Sequence, residues 1–561
     1  VVFGYSFIDF PNQFKDPQKV SKKALNMPFP GLFKNGLDLI PGYSVAWGAG
    51  PAMLNPGGFD PVLFATKHLT NVSQNLTKVL GTHTLKAGAY YEHVINNQPG
   101  NEWSNGFMIP QIGHSLSTNN ATADLLLGRL NDYTESTKNV LRNIAFNTFE
   151  FYVSDSWKAN RKLTLDLGMR FYHLGKWYDR QGFGFAVFDR SKYNRADAEA
   201  GKLPGVLWHD IDPSIPLSGA PTRPLFAAPR FGFAYDLFGS GRTVLRGGFG
   251  TSYYHDAQLT SGLDIAAGLK KVSSLGVTTI SDINSRSANA DVVRSFEALD
   301  PNDDKQPVTH SWSFTIQQRL PWAMSLEAAY VGNKSNDQLF GSNINTVKLN
   351  DPNCLANPEP NCDQHRELRG FGTVTLQRHI AYQNYNALQV TLSRQRGRVS
   401  YLASYSFSKA LGIRNGGNQG AGADALDLRG HNYGILGYDR THIFNVAYSI
   451  ELPNFAKEWM NTDNWAAKGV LDGWQLSGIS QFASGYPLQA NNVNFRMSGT
   501  VNGVDISNPR RIAGTPDTTA QPILTCDPRK GLGEDQYINP NCFAPPTPGN
   551  NGAYVFPYLK G

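Results

Sequence analysis

Charge is scarce in this chain. Of 561 residues only 17% are Asp, Glu, Lys or Arg, against roughly 25% in soluble domains, which argues against an ordinary cytosolic surface. Long apolar runs are missing too. No stretch of about 18 apolar residues occurs, so no transmembrane helix is expected; mean hydropathy is −0.36. The net charge of +6 contains no block of basic residues. Nucleic-acid binding concentrates cations in a stripe, so no nucleic-acid partner is expected and the charge reads as solvated surface. No signal peptide is visible: residue 1 is Val, inside "VVFGYSFIDF", as in a processed chain or part of a longer one. Cysteine is almost absent. The four present form two close pairs, Cys354 with Cys362 and Cys526 with Cys542, in polar stretches rich in Pro and Asn. Such pairs point to disulfides and an oxidising compartment. The rival zinc site lacks C-x₂-C spacing, although His365 lies near Cys362.

What the chain has instead is aromatics, 12% of it, and 55 glycines. They are patterned. In "RKLTLDLGMRFYHLG" (161–175), Leu163, Leu165, Leu167, Met169 and Phe171 alternate with mostly polar residues. Successive strand side chains point to opposite faces, so one face is apolar and the other carries Asp166 and Arg170. The preceding "NTFEFYVSDSWK" places Phe149, Phe151, Val153 and Trp157 on one face, and "ANRK" is a short polar turn between the two runs. Five similar pairs recur. One spans Thr66 to Val94 around "VLGTH". One joins Phe231, Phe233 and Tyr235 to Thr243–Tyr254 across "LFGSGR". One sets Trp312, Phe314 and Ile316 before "LPWA" and Met324 to Tyr330 after it. One flanks "RQRGR" with Leu388–Leu392 and Val399–Phe407. The last joins Phe444, Val446, Tyr448, Ile450 and Leu452 to "GWQLSGISQF" over a longer connection. Alternation bounded by Gly, Pro and Asn is the hairpin signature.

The turns fall near residues 81, 160, 240, 321, 397 and 460, a spacing too long for propeller blades. Each hairpin has a short turn at one end and a long Gly/Asn/Asp/Pro-rich connection at the other. Long links are rare in compact soluble domains. Outer-membrane barrels have this asymmetry, with short periplasmic turns and long outer loops. A closed sheet also satisfies the backbone polar groups that lipid cannot. The expected fold is an all-β antiparallel transmembrane barrel in a bacterial outer membrane. Leu163, Leu165, Leu167, Met169, Phe171, Trp312, Phe314, Ile316, Phe444, Val446 and Tyr448 are expected to face lipid or lipopolysaccharide. Lys86, Glu92, Asp166, Arg170, Arg246, Arg319 and Glu327 are expected to face a wet interior. Asp155 breaks the apolar face near a turn, where the cost of a charge is small. Trp157, Trp312, Trp322 and Trp474 are placed near strand ends, as an aromatic girdle requires. A β-sandwich explains the alternation but not the one-sided loops.

"YVSDSWKANRKLTLDLGMRFYHLG", "APRFGFAYDLFGSGRTVLRGGFG", "SWSFTIQQRLPWAMSLEAAYVGNKS", "YNALQVTLSRQRGRVSYLASYSFSKALG" and "DRTHIFNVAYSIELP" before "LDGWQLSGISQFASGYPL" resemble, by order and spacing over about residues 60 to 490, TonB-dependent outer-membrane receptors. The resemblance is to the Oar-like type, which has a carboxypeptidase-regulatory-like N-terminal domain and abounds in acidobacteria. It implies a 22-stranded barrel, a plug inside it, and uptake driven by the TonB complex. This chain shows about 12 strands in its hairpins, with "VVFGYSFIDF" as a thirteenth. No plug, TonB-contact segment or N-terminal domain is visible, and "YVFPYLKG" is not the usual closing strand. The expectation is an internal portion of a longer protein: a strand and outer loop over 1–62, six hairpins over 63–490, and a disulfide-bearing loop over 491–561.

Enzyme patterns were weighed and none is favoured. Ser406 to Lys409 reads S-x-x-K, but in a strand the two point to opposite faces, whereas the chemistry needs them one helical turn apart. His209–Asp212 and Asp300–Asp304 could hold a hard cation but lack a full ligand pattern, so no metal or other cofactor is expected. "RGGFG" (246–250) lies in a strand and lacks a phosphate loop's ending; its glycines suit sheet curvature or close approach by an interior domain. "ATADLLLGRL" (121–130) is expected to be a short loop helix with its apolar side packed on neighbouring loops. The inner charges suit contacts with a plug more than with solute. Aromatic outer loops such as 177–194 could stack on sugars, grip peptides or pack on one another. The function expected is capture and passage of an oligosaccharide, peptide or chelate; adhesion display and passive diffusion are the alternatives.

Overall fold

The computed structural model describes residues 1–11, 16–27, 64–99, 106–136, 141–255, 295–348, 362–413 and 433–489, with short pieces between and after them. Much of the expected loops 12–63 and 491–561 lies outside the described residues.

Among the described residues, thirteen long strands pair in chain order. They are β1 (Val2–Pro11), β2 (Phe64–Leu80), β3 (His83–Pro99), β4 (Leu141–Lys158), β5 (Leu163–Leu174), β6 (Phe226–Asp236), β7 (Thr243–Tyr253), β8 (Val308–Leu320), β9 (Met324–Asn343), β10 (Val374–Arg394), β11 (Val399–Gly412), β12 (His442–Glu451) and β13 (Gln475–Ala483). Every neighbouring pair is antiparallel. The six hairpins and the thirteenth strand are those the alternation indicated. Among the described residues β1 and β13 do not pair with each other, so this sheet is open at two edges. No helix of the described residues is long and apolar enough to cross a membrane.

The strands are often longer than the 9 to 11 residues a bilayer needs: β9 has 20 and β10 has 21. β9 therefore continues past Val331, where its loop was expected to begin, and ends at Asn343. A bulge between Ser335 and Leu339 re-aims the extension.

The register shows why these sequences make this sheet. Leu167 stands opposite Phe231, Leu165 opposite Phe233, Phe249 opposite Trp312, and Phe314 opposite Tyr330. A cross-strand apolar pair on one face contributes about 0.2–1 kcal/mol, and a one-residue slip would put every member on the wrong face. Glycines complete the fit. A Cβ on Gly332 would meet the Trp312 ring at 2.5 Å, and one on Gly247 the Phe233 ring at 2.4 Å; each is the register partner of the aromatic that lies across it. Gly247, in "RGGFG", is thus a seat for a neighbouring ring. Trp312, expected near a strand end, is instead the fifth residue of β8, held by Gly332.

Candidate functional site

The seven charged residues expected to face inward share one face, opposite to the eleven apolar ones. Two rows cross eight strands. Lys86, Ser154, Gly168, Arg230, Gly250, Ser311, Asn333 and Tyr385 form one; Thr84, Ser156, Asp166, Gly232, Gly248, Ser313, Val331 and Ala387 form the next. Most are small, so the wall is thin there, and it encloses an open hollow of about 740 Å³. Lys86, Asp166 and Arg230 project into it. Arg246 is the register partner of Thr315, Glu327 of Gln317 and Arg319 of Ser325, all on the same face nearer the short turns.

These charges divide into two groups. Toward the loops they are satisfied: Arg170 forms an ion pair with Glu150, its guanidinium 5.3 Å from the Tyr172 ring centroid, and the Tyr90 hydroxyl donates to Glu92. In the hollow and below it they face solvent without a protein partner. Lys86, Asp166, Arg230, Arg246, Arg319 and Glu327 have no side-chain hydrogen bond or ion pair among the described residues. Arg230 was not singled out in the sequence, although its alternation with Phe231 and Phe233 would have found it.

The inner face changes character at the strands' outer ends. Ile144 and Phe146 lie on the same side of β4 as Ser154, yet both are buried, in a cluster with Trp177, Phe185, Val187, Leu299 and Leu339. The strand begins at Leu141, six residues before the run read from the sequence; at this loop end the inner face is dry because the loops pack on it. Three segments build this cover. Residues 178–179 pair with the outer end of β4; Phe296–Leu299 run parallel to the outer end of β10, and Val187 pairs with Leu299. A second cluster joins Phe188, Trp208, Phe296, Phe371 and Val374. The aromatic loop 177–194 therefore packs on its neighbours, the other outcome open to it.

Charges lock the cover. The Asp303 carboxylate accepts from the backbone N–H of His379 and lies 2.8 Å from His379 Nδ1. Lys176 Nζ donates to the Asp303 carbonyl. Arg223 forks onto Asp304 at 3.0 and 2.8 Å. Burial alone would raise the Asp303 pKa, but His379 and Lys176 outweigh it and hold it at about 2. Burial lowers the Lys176 pKa, with Asp303, Asp304 and Asp300 opposing. Asn345, fully buried, donates to the carbonyls of Leu368, Phe371 and Gly372, and Arg366 forks onto Asp517. Disulfides join Cys354 to Cys362 and Cys526 to Cys542.

The patterns that the sequence disfavoured as sites lie in loop and strand structure. His209 Nδ1 contacts the Ile215 carbonyl at 2.6 Å and Asp212 pairs with Lys192; no metal-binding group of three or more His, Cys, Asp or Glu occurs among the described residues. Ser406 and Lys409 lie on opposite faces of β11, opposite Gln389 and Asn386 of β10. The helix expected over 121–130 is Ala121–Leu126. Its packing differs from expectation: Leu126 and Leu127 are 82% and 60% exposed, while Ala121 and Asp124 are buried. The Asn120 and Asp124 side chains hold the helix start through the N–H groups of Thr122, Ala123 and Thr118.

Comparison with known proteins gives one family. Residues 1–557 match the family described as outer membrane beta barrel domain. No curated relative matches the sequence. Among solved structures, the chain is similar to the outer membrane transporter YddB from Escherichia coli (10% identity, 69% of this chain, 40% of that one, TM-score 0.36). It is also similar to the FrpB iron transporter from Neisseria meningitidis (10%, 71% and 44%, 0.36) and to the ferric enterobactin receptor PfeA from Pseudomonas aeruginosa (9%, 70% and 40%, 0.37). The chain thus spans less than half the length of these structures.

Proposed function

The chain belongs to the outer membrane beta barrel domain family, and from that premise we propose that it is the barrel portion of a TonB-dependent receptor of the Oar-like type. In this reading the apolar face meets lipid and lipopolysaccharide, and the loops capture a solute too large or scarce for passive diffusion. A plug on another part of the same protein fills the hollow, and the TonB complex moves it. The solute is an oligosaccharide, peptide or chelate. The inner charges belong to plug contacts first and to solute second.

The observation that carries the reading is the pairing of a covered mouth with a wall of exposed charges that have no protein partner among the described residues. A passive pore leaves its mouth open. Here Trp177, Phe185 and Leu299 pack over the inner side of the strand ends, and the charges beneath them lack partners on the wall itself. Unpaired charges on a concave surface suit an interior body that brings complementary groups. A surface-display barrel is the second reading, favoured by the extent of ordered loop.

The test is electrical. The protein extracted intact from its membrane is placed in a planar bilayer. A plugged receptor stays closed and opens only when denaturant loosens its interior. A steady ohmic conductance without denaturant would establish the passive pore instead. A closed barrel whose cells lose adhesion, but not solute uptake, on loop deletion would establish display.

A further inference from the structure

The short-turn rim carries a feature that neither wall nor mouth uses. Five hairpins close in tight turns. The sixth, between β12 and β13, runs through residues 452–474 and holds two short helices, Phe455–Glu458 and Trp465–Leu471. It is an organised element. Arg398, from the turn beside it, forks onto Glu458; Asp472 Oδ1 accepts from the Ala456 N–H at 2.9 Å; Asn464 caps the second helix through the Ala466 N–H at 2.9 Å.

Ala456 is buried and Phe455 packs edge-on against Trp459 at 5.1 Å, yet the larger apolar side chains remain mostly exposed. Trp459 is 75% exposed, Met460 62%, Trp465 85%, Val470 66% and Trp474 58%. Such a concentration is not the scattered apolar exposure of an ordinary surface. Nor is it isolated. The Leu452 N–H donates to the Trp474 carbonyl at 2.9 Å, one step beyond the ladder that pairs Ile450 with Leu476 and Phe444 with Phe482. Leu452 and Trp474 thus extend the apolar outer columns of β12 and β13 past the last barrel pair. The charges do not select an anionic surface: Lys457 and Lys468 stand against Glu458, Asp463 and Asp472, and Lys468 is paired with Asp463.

We propose that residues 452–474 form an interfacial lip that binds zwitterionic phospholipid of the leaflet at the short-turn rim. Trp459, Trp465 and Trp474 lie at the boundary between headgroups and acyl chains. Tryptophan favours that layer because its ring is apolar and its N–H is polar; the Trp474 N–H donates to the Val470 carbonyl within the lip, leaving the Trp459 and Trp465 N–H groups for the headgroup layer. Apolar contact rather than charge holds the lip, so high salt does not release it. The inference rests on family membership and holds whatever solute the barrel serves.

The test places a nitroxide at Trp465→Cys, and separately at Trp459→Cys, in the full chain reconstituted in vesicles of phosphatidylethanolamine and phosphatidylcholine. All four native cysteines are in disulfides, so the label finds one thiol. A reference label at Leu126→Cys, on an outer loop, reports water. The ratio of collision with oxygen to collision with a water-soluble nickel chelate is expected to be several-fold higher at 459 and 465 than at 126, and unchanged by salt. Equal ratios at all three sites would overturn the proposal. So would labels that meet water in these vesicles and are shielded only in native outer membranes, which would indicate a protein partner.

Discussion

His83 Nδ1 lies 2.6 Å from Asp155 Oδ2 on the apolar face of the sheet. The imidazole also stacks on Trp157, its register partner, with centroids 5.5 Å apart and planes 7° from parallel. Asp155 was the residue that broke the apolar alternation. The neighbouring strand supplies its partner, close to the short-turn rim where water is near. Between Leu85 and Leu167 the carboxylate keeps Oδ2 on His83, while its Oδ1 is buried without a partner among the described residues, so His83 is the group on which it depends.

Removing that partner should therefore cost more than removing both groups. His83→Ala is expected to destabilise the folded barrel by about 1.5–3 kcal/mol, the scale of one hydrogen bond to a charged group. Asp155→Asn added to it should recover most of the loss. Urea unfolding in lipid vesicles measures both. Equal stability of the single and double variants would show that Asp155 does not depend on His83.

Facing is tested by adding an arginine to the outer face and removing one from the inner face. Leu167→Arg puts a charge on the outer face, at a cost of about 2–4 kcal/mol near mid-membrane, and should sharply reduce assembled protein. Arg170→Leu leaves the mostly buried Glu150 without its ion-pair partner, but puts no charge into lipid, and should be milder. The two are compared by heat-modifiable mobility on gels. Equal damage would contradict the assignment of faces.

Glycine opposite an aromatic ring is a packing requirement with a measurable cost. Gly332→Val is expected to drive the Trp312 ring off its seat, since even a Cβ meets it at 2.5 Å. Overpacking of this kind costs about 1–3 kcal/mol. The double variant Gly332→Val with Trp312→Ala should be more stable than the single one, again read by urea unfolding.

The cover should loosen in acid. The folded Asp303 pKa, about 2, lies below the ordinary 3.8. A depressed carboxyl pKa stabilises the fold above the unfolded value and loses that stabilisation as pH falls through the folded one. The window is therefore about pH 4 down to pH 2, and the loss about 1–2 kcal/mol after allowance for partial solvent screening. Protease cleavage within 295–307 should increase over that window. His379→Ala should bring the increase to higher pH.

Both disulfides should be intramolecular. Mass spectrometry without reductant is expected to find no free thiol and loop-linked peptides for Cys354–Cys362 and Cys526–Cys542. Four free thiols would reject this.

Alternation in the sequence determined the sheet. Leu163 to Phe171 fix the faces of one strand because a strand's side-chain period is two; Gly, Pro and Asn mark where strands end. The six hairpins, the thirteenth strand and the shared face of Lys86, Asp166 and Arg246 follow from those local rules. What only the tertiary structure decided depends on residues far apart in sequence. His83 meets Asp155 across a register that no single strand encodes. Ile144 and Phe146 look like inner-wall positions, yet they are buried because Trp177, Phe185 and Leu299 come to lie over them. Trp177 and its loop carry no period, so their partners are set by where the strands place the loop ends, not by the order of residues within the loop.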